Sequence, residues 1–430
     1  MDVVRNRLFA PRIELSKARL TTTEHLFMFG LLCKVGFPSL SRLSMGRFMS
    51  TKDFYEEQDT ASEVKTQIVC EYFKAWSQVI LSVQDDRQEV GNRVGYVDLF
   101  AGKGKYDDGT PSTPIRIAQM AIKDTRLSKR LQIVLNESDS ERAGALEANI
   151  FGLKGINLLE HEPVVLNEEV DARAPSRFSD LDVGPSLVFL DPWGYAGLSM
   201  ELFDTFLRNW GTDLIFFFNY NRINAAVSNR EVANHMNRLF GGADRADDLR
   251  GNLEPAGPSE RRSLVVRAME HALKSRSAQW ILNFTFQSAE ADRVSHDLFF
   301  ATKSFKGYSI MNDILSNKTS GDADEPALFD ETREVQTSLR LAHEPIEQLG
   351  DALVSRFAGL TLTRDEIVRT HQAESGTSNA FAEKHYNQAL RNLESEGQIR
   401  ASSTKGRRQA GTFPNHVQIT FPESEEKTDE

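Results

Sequence analysis

Between residues 91 and 310 the chain alternates short apolar runs with longer amphipathic stretches. Val94 to Phe100, Leu131 to Leu135, Ser186 to Leu190 and Leu214 to Phe218 have strand length, and helix-length segments separate them. Unbroken apolar character means burial on both faces, so the pattern predicts a parallel sheet with crossover helices on either side, an α/β fold. Pro163 to Asn167 is the best third strand. Trp280 to Phe286 and Asp297 to Thr302 read as a terminal pair, which brings the sheet to about seven strands. Residues 241–262 are rich in Gly, Asp and Arg without periodicity and read as an insertion or lid.

Before the first strand, Val64, Ile68, Tyr72, Ala75, Trp76 and Val79 form one helical stripe, with Ser62 as its N-cap. After residue 340 the pattern is helical again. Ile346, Leu349, Leu353, Val354 and Phe357 share a face, and Thr363 with Glu366 is a capping box. A third helix is expected from Ser378 to Glu396, and Gln398 to Thr420 supplies two strands around the tip Lys405-Gly406-Arg407-Arg408. The expected organisation is an N-terminal extension over 1–52, a central domain over 53–316, a linker over 317–340, a small domain over 341–421 and an acidic tail over 422–430. Met49-Ser-Thr-Lys-Asp-Phe looks like a natural start, so residues 1–48 are expected to be an over-long start or a mobile extension.

Composition narrows the chemistry. The 430 residues carry 51 Lys and Arg against 62 Asp and Glu, a net charge of -11, so a generally basic nucleic-acid coat is excluded and any such contact is local. Two cysteines, Cys33 and Cys70, provide neither a disulfide framework nor a Cys-based zinc site, and a reducing, cytoplasmic setting is the default expectation. His161-Glu162 and His343-Glu344 are each followed by proline, which rules out a His-Glu-x-x-His motif, and no metal is expected. The apolar run Leu26 to Cys33 is far too short to span a bilayer.

Ligands of such sheets bind at the carboxyl ends of the strands. The first strand ends in Asp98-Leu-Phe100-Ala101-Gly102-Lys-Gly104. A P-loop fails because Tyr106 follows Gly104-Lys105, and a dinucleotide fingerprint fails because Asp107 stands at its third glycine. The motif instead resembles the first motif of class I methyltransferases, which implies S-adenosylmethionine as cofactor. Asp98, Phe100, Ala101, Gly102 and Gly104 would hold it. Glu137, at the end of the second strand, is a candidate to take both ribose hydroxyls, since its oxygens only accept. Asn167, ending the third, is a candidate for the adenine.

The fourth strand ends in Asp191-Pro192-Trp193-Gly194, which resembles the Asp-Pro-Pro-aromatic motif of enzymes that methylate exocyclic amines. It departs from it in having a single proline. Asp191 and a backbone carbonyl would orient the amine, and Trp193 would stack on a planar substrate or on the sulfonium. Tyr220, Asn221 and Arg222 are placed to border the cleft.

A narrower resemblance rests on Ser62 to Val69 with its Lys65-Thr66, Tyr72 to Trp76, Asp98 to Gly104, Asp191 to Gly194, Ala301-Thr302-Lys303 and Gly307. Together these are similar to the three-Cys-motif partner proteins over roughly residues 53–420. The resemblance implies the class I methyltransferase fold, a C-terminal winged helix, and association with a three-Cys-motif protein encoded nearby. Three helices followed by a basic wing also resemble the winged helix-turn-helix. Lys384, Asn387, Gln388 and Arg391 would enter a DNA or RNA groove, and Lys405, Arg407 and Arg408 would touch phosphates. Residues 361–420 hold eight basic and six acidic side chains, so a protein-docking role competes with that reading. The expected function is a methyltransferase acting on nucleic acid. The alternative is a regulatory or defence protein whose methyltransferase-like domain is inactive or senses the cofactor.

Overall fold

The computed structural model describes residues 60–87, 92–179, 181–192, 194–195, 197–288, 293–319, 328–329, 337–338, 346–375 and 381–423. The expected N-terminal extension and most of the expected acidic tail lie outside the described residues. The central sheet contains β1 (Val94–Asp98), β2 (Leu131–Asn136), β3 (Val164–Leu166), β4 (Ser186–Leu190), β5 (Asp213–Phe218), β6 (Trp280–Ser288) and β7 (Arg293–Thr302). Its order is β3-β2-β1-β4-β5-β7-β6. The first five strands run parallel, while β7 is antiparallel to both β5 and β6. This is the seven-stranded class I methyltransferase sheet.

The helices are α1 (Thr60–Arg87), α2 (Thr113–Lys123), α3 (Thr125–Arg130), α4 (Ser140–Phe151), α5 (Ala174–Phe178), α6 (Met200–Leu207), α7 (Tyr220–Val227), α8 (Ala233–Leu239), α9 (Ala243–Leu253), α10 (Pro258–Lys274) and α11 (Phe305–Thr319). Helix α1 begins at Thr60, so Ser62 lies inside it and is not its N-cap. Because successive strand residues point to opposite faces, the sheet feeds two cores. Tyr96, Ile133, Phe189, Phe217 and Phe300 pack with Tyr72 and Phe73 of α1, Ile115 of α2 and Leu146 of α4. Val97, Val188, Phe216 and Phe299 pack with α5 to α10. The expected aperiodic insertion over 241–262 is instead helical over Ala243–Leu253, with Ala246, Leu249 and Leu253 buried. Its apolar stripe is only three residues long, diluted by Asp and Arg, and this hid its period.

At the amino edge of the sheet Tyr72, Trp76, Asp213, Thr302 and Gly307 come together around a buried carboxyl. The Tyr72 hydroxyl donates to Asp213 Oδ2 at 2.6 Å, and Trp76 Nε1 donates to the Gly211 carbonyl at 3.0 Å. Thr302 also hydrogen-bonds Asp213, whose carboxyl burial pushes up to about 6. A methyl group on Gly307 would come within 2.9 Å of the Tyr72 hydroxyl, so only glycine lets α11 approach. Together they fasten α1 and α11 to the start of β5, at the opposite end of that strand from its carboxyl tip.

Residues 328–329 and 337–338 form the short strands β8 and β9, inside the stretch expected to be a plain linker. The C-terminal domain follows with α12 (Ile346–Phe357), β10 (Thr361–Leu362), α13 (Arg364–Ser375), α14 (Glu383–Ser395), β11 (Arg400–Ser403) and β12 (Val417–Thr420), the strands ordered β10-β12-β11. It has its own core around Leu353, Ile367, Tyr386, Leu390 and Ile419. The Thr363 capping box is present, with Thr363 N–H donating to Glu366 Oε2 at 2.8 Å and Glu366 N–H to Thr363 Oγ1 at 3.3 Å. Among the described residues no helix is long and apolar enough to cross a membrane, and no cluster of His, Cys, Asp and Glu is arranged to hold a metal.

Candidate active site

The carboxyl edge of the sheet gathers the tips of β1, β2, β4 and β5. Asp98 closes β1 and is 1% exposed. Its Oδ1 accepts the Phe100 N–H at 3.0 Å and its Oδ2 the Tyr96 hydroxyl at 3.2 Å, so the carboxyl shapes the turn that follows. Burial pushes it up to about 7, and the negative charges of Asp191 and Glu137 add to the effect. Three acids therefore act on one region.

Gly102 has φ +64°, and a Cβ there would meet nothing within 4 Å, so the turn opens onto free space. Gly104, at φ +85°, does something else. A Cβ on it would lie 3.1 Å from Leu146 Cδ1 and 3.4 Å from Ile115 Cδ1, so its bareness lets α2 and α4 close on the turn. Phe100 packs against the second core, and Ala101 N–H donates to the Asn136 carbonyl at 2.9 Å.

Glu137 is buried at the tip of β2. Its Oε1 accepts the Asp139 N–H at 2.9 Å and lies 3.5 Å from Arg142 Nη2. Asn167 Nδ2 donates to the carbonyls of Glu137 and Ser138 at 2.8 and 2.9 Å, so Asn167 holds the loop that carries Glu137.

Two residues escaped the sequence reading. Asn136 is fully buried, donates through Nδ2 to the Leu99 and Glu168 carbonyls, and accepts the Glu168 N–H at Oδ1, each at 3.0 Å. It ties together the turns after β1, β2 and β3. Its signal in the sequence was a lone amide ending an apolar strand. Replacing it by alanine strands three backbone groups, and Asn136→Ala should cost about 2–3 kcal/mol in urea unfolding.

The other is His296. Because β7 runs antiparallel to β5, its start lies beside the end of β5, and His296 Nε2 sits 3.3 Å from Asn219 Nδ2. Its ring is pushed down to about 3 by burial and by the positive charges of Lys65 and Arg222. Lys65 reaches the edge from α1, with Nζ 4.1 Å above the Phe217 ring and 3.8 Å from Asp191 Oδ2. Its neighbour Thr66 is buried and shares a 3.1 Å hydrogen bond with Thr113 of α2. Pro192 is buried next to Asp191, and its carbonyl accepts the Gly194 N–H at 2.7 Å. Trp193 lies outside the described residues.

In the C-terminal domain the first turn of α14 is held against α11. Asn312 Nδ2 donates to the Phe381 carbonyl at 2.9 Å, Glu383 N–H donates to Asp313 Oδ1 at 3.2 Å, and Ser309 donates to the Glu383 carboxylate. Lys384 Nζ is 3.3 Å from Asn317 Oδ1, and Asn387 accepts from Arg364 Nε at 2.7 Å. The first turn of α14 is thus tied to α11, while Lys384, Gln388 and Arg391 stay exposed on the helix. Gln388 donates to Asn392 Oδ1, and Arg391 Nε donates to the Gly411 carbonyl, bracing the wing. Arg408 is turned inward to the Glu394 carboxylate and the Ala401 and Thr412 carbonyls. Lys405 and Arg407 remain exposed at the wing tip.

Residues 316–406 match the family described as the GMT-like wHTH domain. No curated protein matches the chain. Solved structures similar to it include a fibrillarin/Nop5p complex, at 12% identity over 50% of this chain and 75% of that one with a TM-score of 0.29. Protein LPL1258 from Legionella pneumophila is 10% identical over 59% of this chain and 91% of its own, TM-score 0.33. The methyltransferase domain of bacterial CtHen1 is 11% identical over 56% of this chain and 100% of its own, TM-score 0.28. At such scores these likenesses add nothing to the strand order itself.

Proposed function

We propose that the chain is an S-adenosylmethionine-dependent methyltransferase of the three-Cys-motif partner type, carrying a winged helix at its C-terminus. One observation carries the reading: the open space over Gly102 lies at the sheet edge where Asp98, Glu137 and Asp191 act together. That setting suits a cationic nucleoside. Glu137 would accept from the ribose hydroxyls, the Gly102 turn would let the backbone approach, and Asp98 would keep the turn in shape while contributing negative charge. When bound, the cofactor supplies an electrophilic methyl group.

Asp191 stands at the next strand tip, where the acceptor would be oriented, and the motif resemblance favours an amine on nucleic acid. The exposed Lys405 and Arg407 would meet phosphates. A three-Cys-motif protein would be the partner.

Calorimetry with adenosyl-homocysteine tests the cofactor assignment. Wild type should bind one equivalent per chain. Glu137→Gln should weaken binding at least tenfold, and Gly102→Ala should weaken it while costing only about 1–2 kcal/mol of stability through its positive φ. Equal affinity in all three proteins, or none in wild type, would refute the assignment.

A further inference from the structure

We propose a second binding site, for a pyrimidine nucleotide, in the cavity between the winged helix and the outer strand of the sheet. It stands apart from the methyltransferase reading and does not depend on it.

The cavity has a volume of about 160 Å³. Lys274, Trp280 and Tyr308 line it from the central domain, and Gln372 and Ala373 of α13 line it from the winged helix. Trp280 pairs with Thr302 on β7, and the preceding Ala301 pairs with Leu214 near the start of β5. The cavity therefore lies by the amino end of the sheet, at the opposite edge from the Gly102 turn.

Two polar atoms of its lining have no partner. Tyr308 and Gln372 are each 1% exposed, yet the Tyr308 hydroxyl and Gln372 Oε1 make no hydrogen bond among the described residues. Turning the Gln372 amide round would not relieve this, because its Nε2 donates to the Phe381 carbonyl at 2.9 Å and an oxygen cannot take that place. A buried polar atom left in this way costs about 1–3 kcal/mol, so both are set to gain from a ligand. Gln372 Oε1 only accepts, and the Tyr308 hydroxyl has a proton to donate.

The ligand must then carry a donor and an acceptor on a small body. Size limits it to one six-membered ring, since a cavity of roughly 150 Å³ holds benzene. The Trp280 ring is braced by Phe305 at a centroid distance of 5.0 Å and by Tyr308 at 5.3 Å, which gives a planar ring a fixed aromatic wall. Uracil and cytosine are single planar rings with an N–H donor beside an acceptor, whereas a purine brings a second ring. Lys274 is exposed and suits the phosphate of such a nucleotide. Occupancy would also bear on the winged helix, because Asn312 of α11 and Gln372 of α13 both donate to the Phe381 carbonyl just ahead of α14.

Calorimetry on the full-length protein, with uridine and cytidine monophosphate as probes, tests the site. At least one of them should bind at one equivalent per chain, with adenosine and guanosine monophosphate at least tenfold weaker. Methylating away the donor, as in the 3-methyluridine or N4,N4-dimethylcytidine nucleotide, should weaken binding about tenfold. Tyr308→Phe should weaken it by a similar factor and leave the ligand-free protein no less stable, since it removes a hydroxyl that has no partner. Binding of neither pyrimidine nucleotide would mean that water alone fills the cavity and would overturn the proposal. So would equal affinity for purines, full affinity in Tyr308→Phe, or displacement of the nucleotide by adenosyl-homocysteine, which would place it at the carboxyl edge instead. A pyrimidine oligonucleotide identifies the source of a bound base: displacement of the mononucleotide by the strand shows that the site takes a base within a nucleic acid, and persistence of the mononucleotide shows that it takes the free nucleotide.

Discussion

Asp98→Asn should make the ligand-free protein more stable at pH 8 while weakening adenosyl-homocysteine binding at least tenfold. The carboxyl is raised from its ordinary range to about 7, mainly by burial. A raised acid favours the fold while protonated, so wild type loses this contribution as pH climbs from about 4 through 7. Asparagine is neutral throughout, and its Oδ1 still accepts the Phe100 N–H while its amide can donate to the Tyr96 hydroxyl. The variant and wild type should therefore be equally stable near pH 4, and the variant should gain by a few kcal/mol, in order of magnitude, by pH 8. Chemical denaturation across that range measures it. A variant equally destabilised at every pH would mean that the carboxylate matters for packing alone. Stability given up to keep a charge at the ligand edge is what a binding site requires.

The second large effect lies on the other face of β7. Asp297 is fully buried, with Oδ1 accepting from Arg262 Nη2 at 2.5 Å and from Thr285 Oγ1 at 2.8 Å. Burial raises its carboxyl, and Arg262 is the main charge holding it down. Arg262→Met leaves a buried acid without its cation and should cost about 3 kcal/mol. Since the raised acid favours the fold only while protonated, the loss should be larger at pH 8 than at pH 5. The double variant Arg262→Met, Asp297→Asn should recover much of it. An unchanged melting temperature in the single variant would show that Asp297 is satisfied without Arg262. Because His296 is the next residue, the single variant should also disturb the ligand edge.

Much of this arrangement was legible in the sequence. Buried parallel strands announce themselves as unbroken apolar runs, and Asp98, Glu137 and Asp191 each follow such a run, so their meeting at one edge follows from the topology. Residues whose role depends on a partner far along the chain were not legible. His296 faces the edge only because β7 is antiparallel, and nothing local to it says so. Lys65 lies on a long helix, and only the packing of α1 against the sheet brings its Nζ over Phe217. Arg408 sat in a basic cluster, but its guanidinium serves Glu394 and the wing turn. The knot of Tyr72, Asp213 and Thr302 is of the same kind, since it joins three residues far apart in the chain and no local pattern announces it.

The central claim is that the carboxyl edge around Gly102 holds an adenosyl nucleoside, and a crystal structure of the full-length protein grown with adenosyl-homocysteine tests it most directly. The account predicts density over the Gly102 turn, with the ribose hydroxyls on the Glu137 carboxylate and the sulfur directed toward Asp191. Density at any other place, or Glu137 still engaged only with Asp139 and Arg142 at saturating ligand, would contradict it.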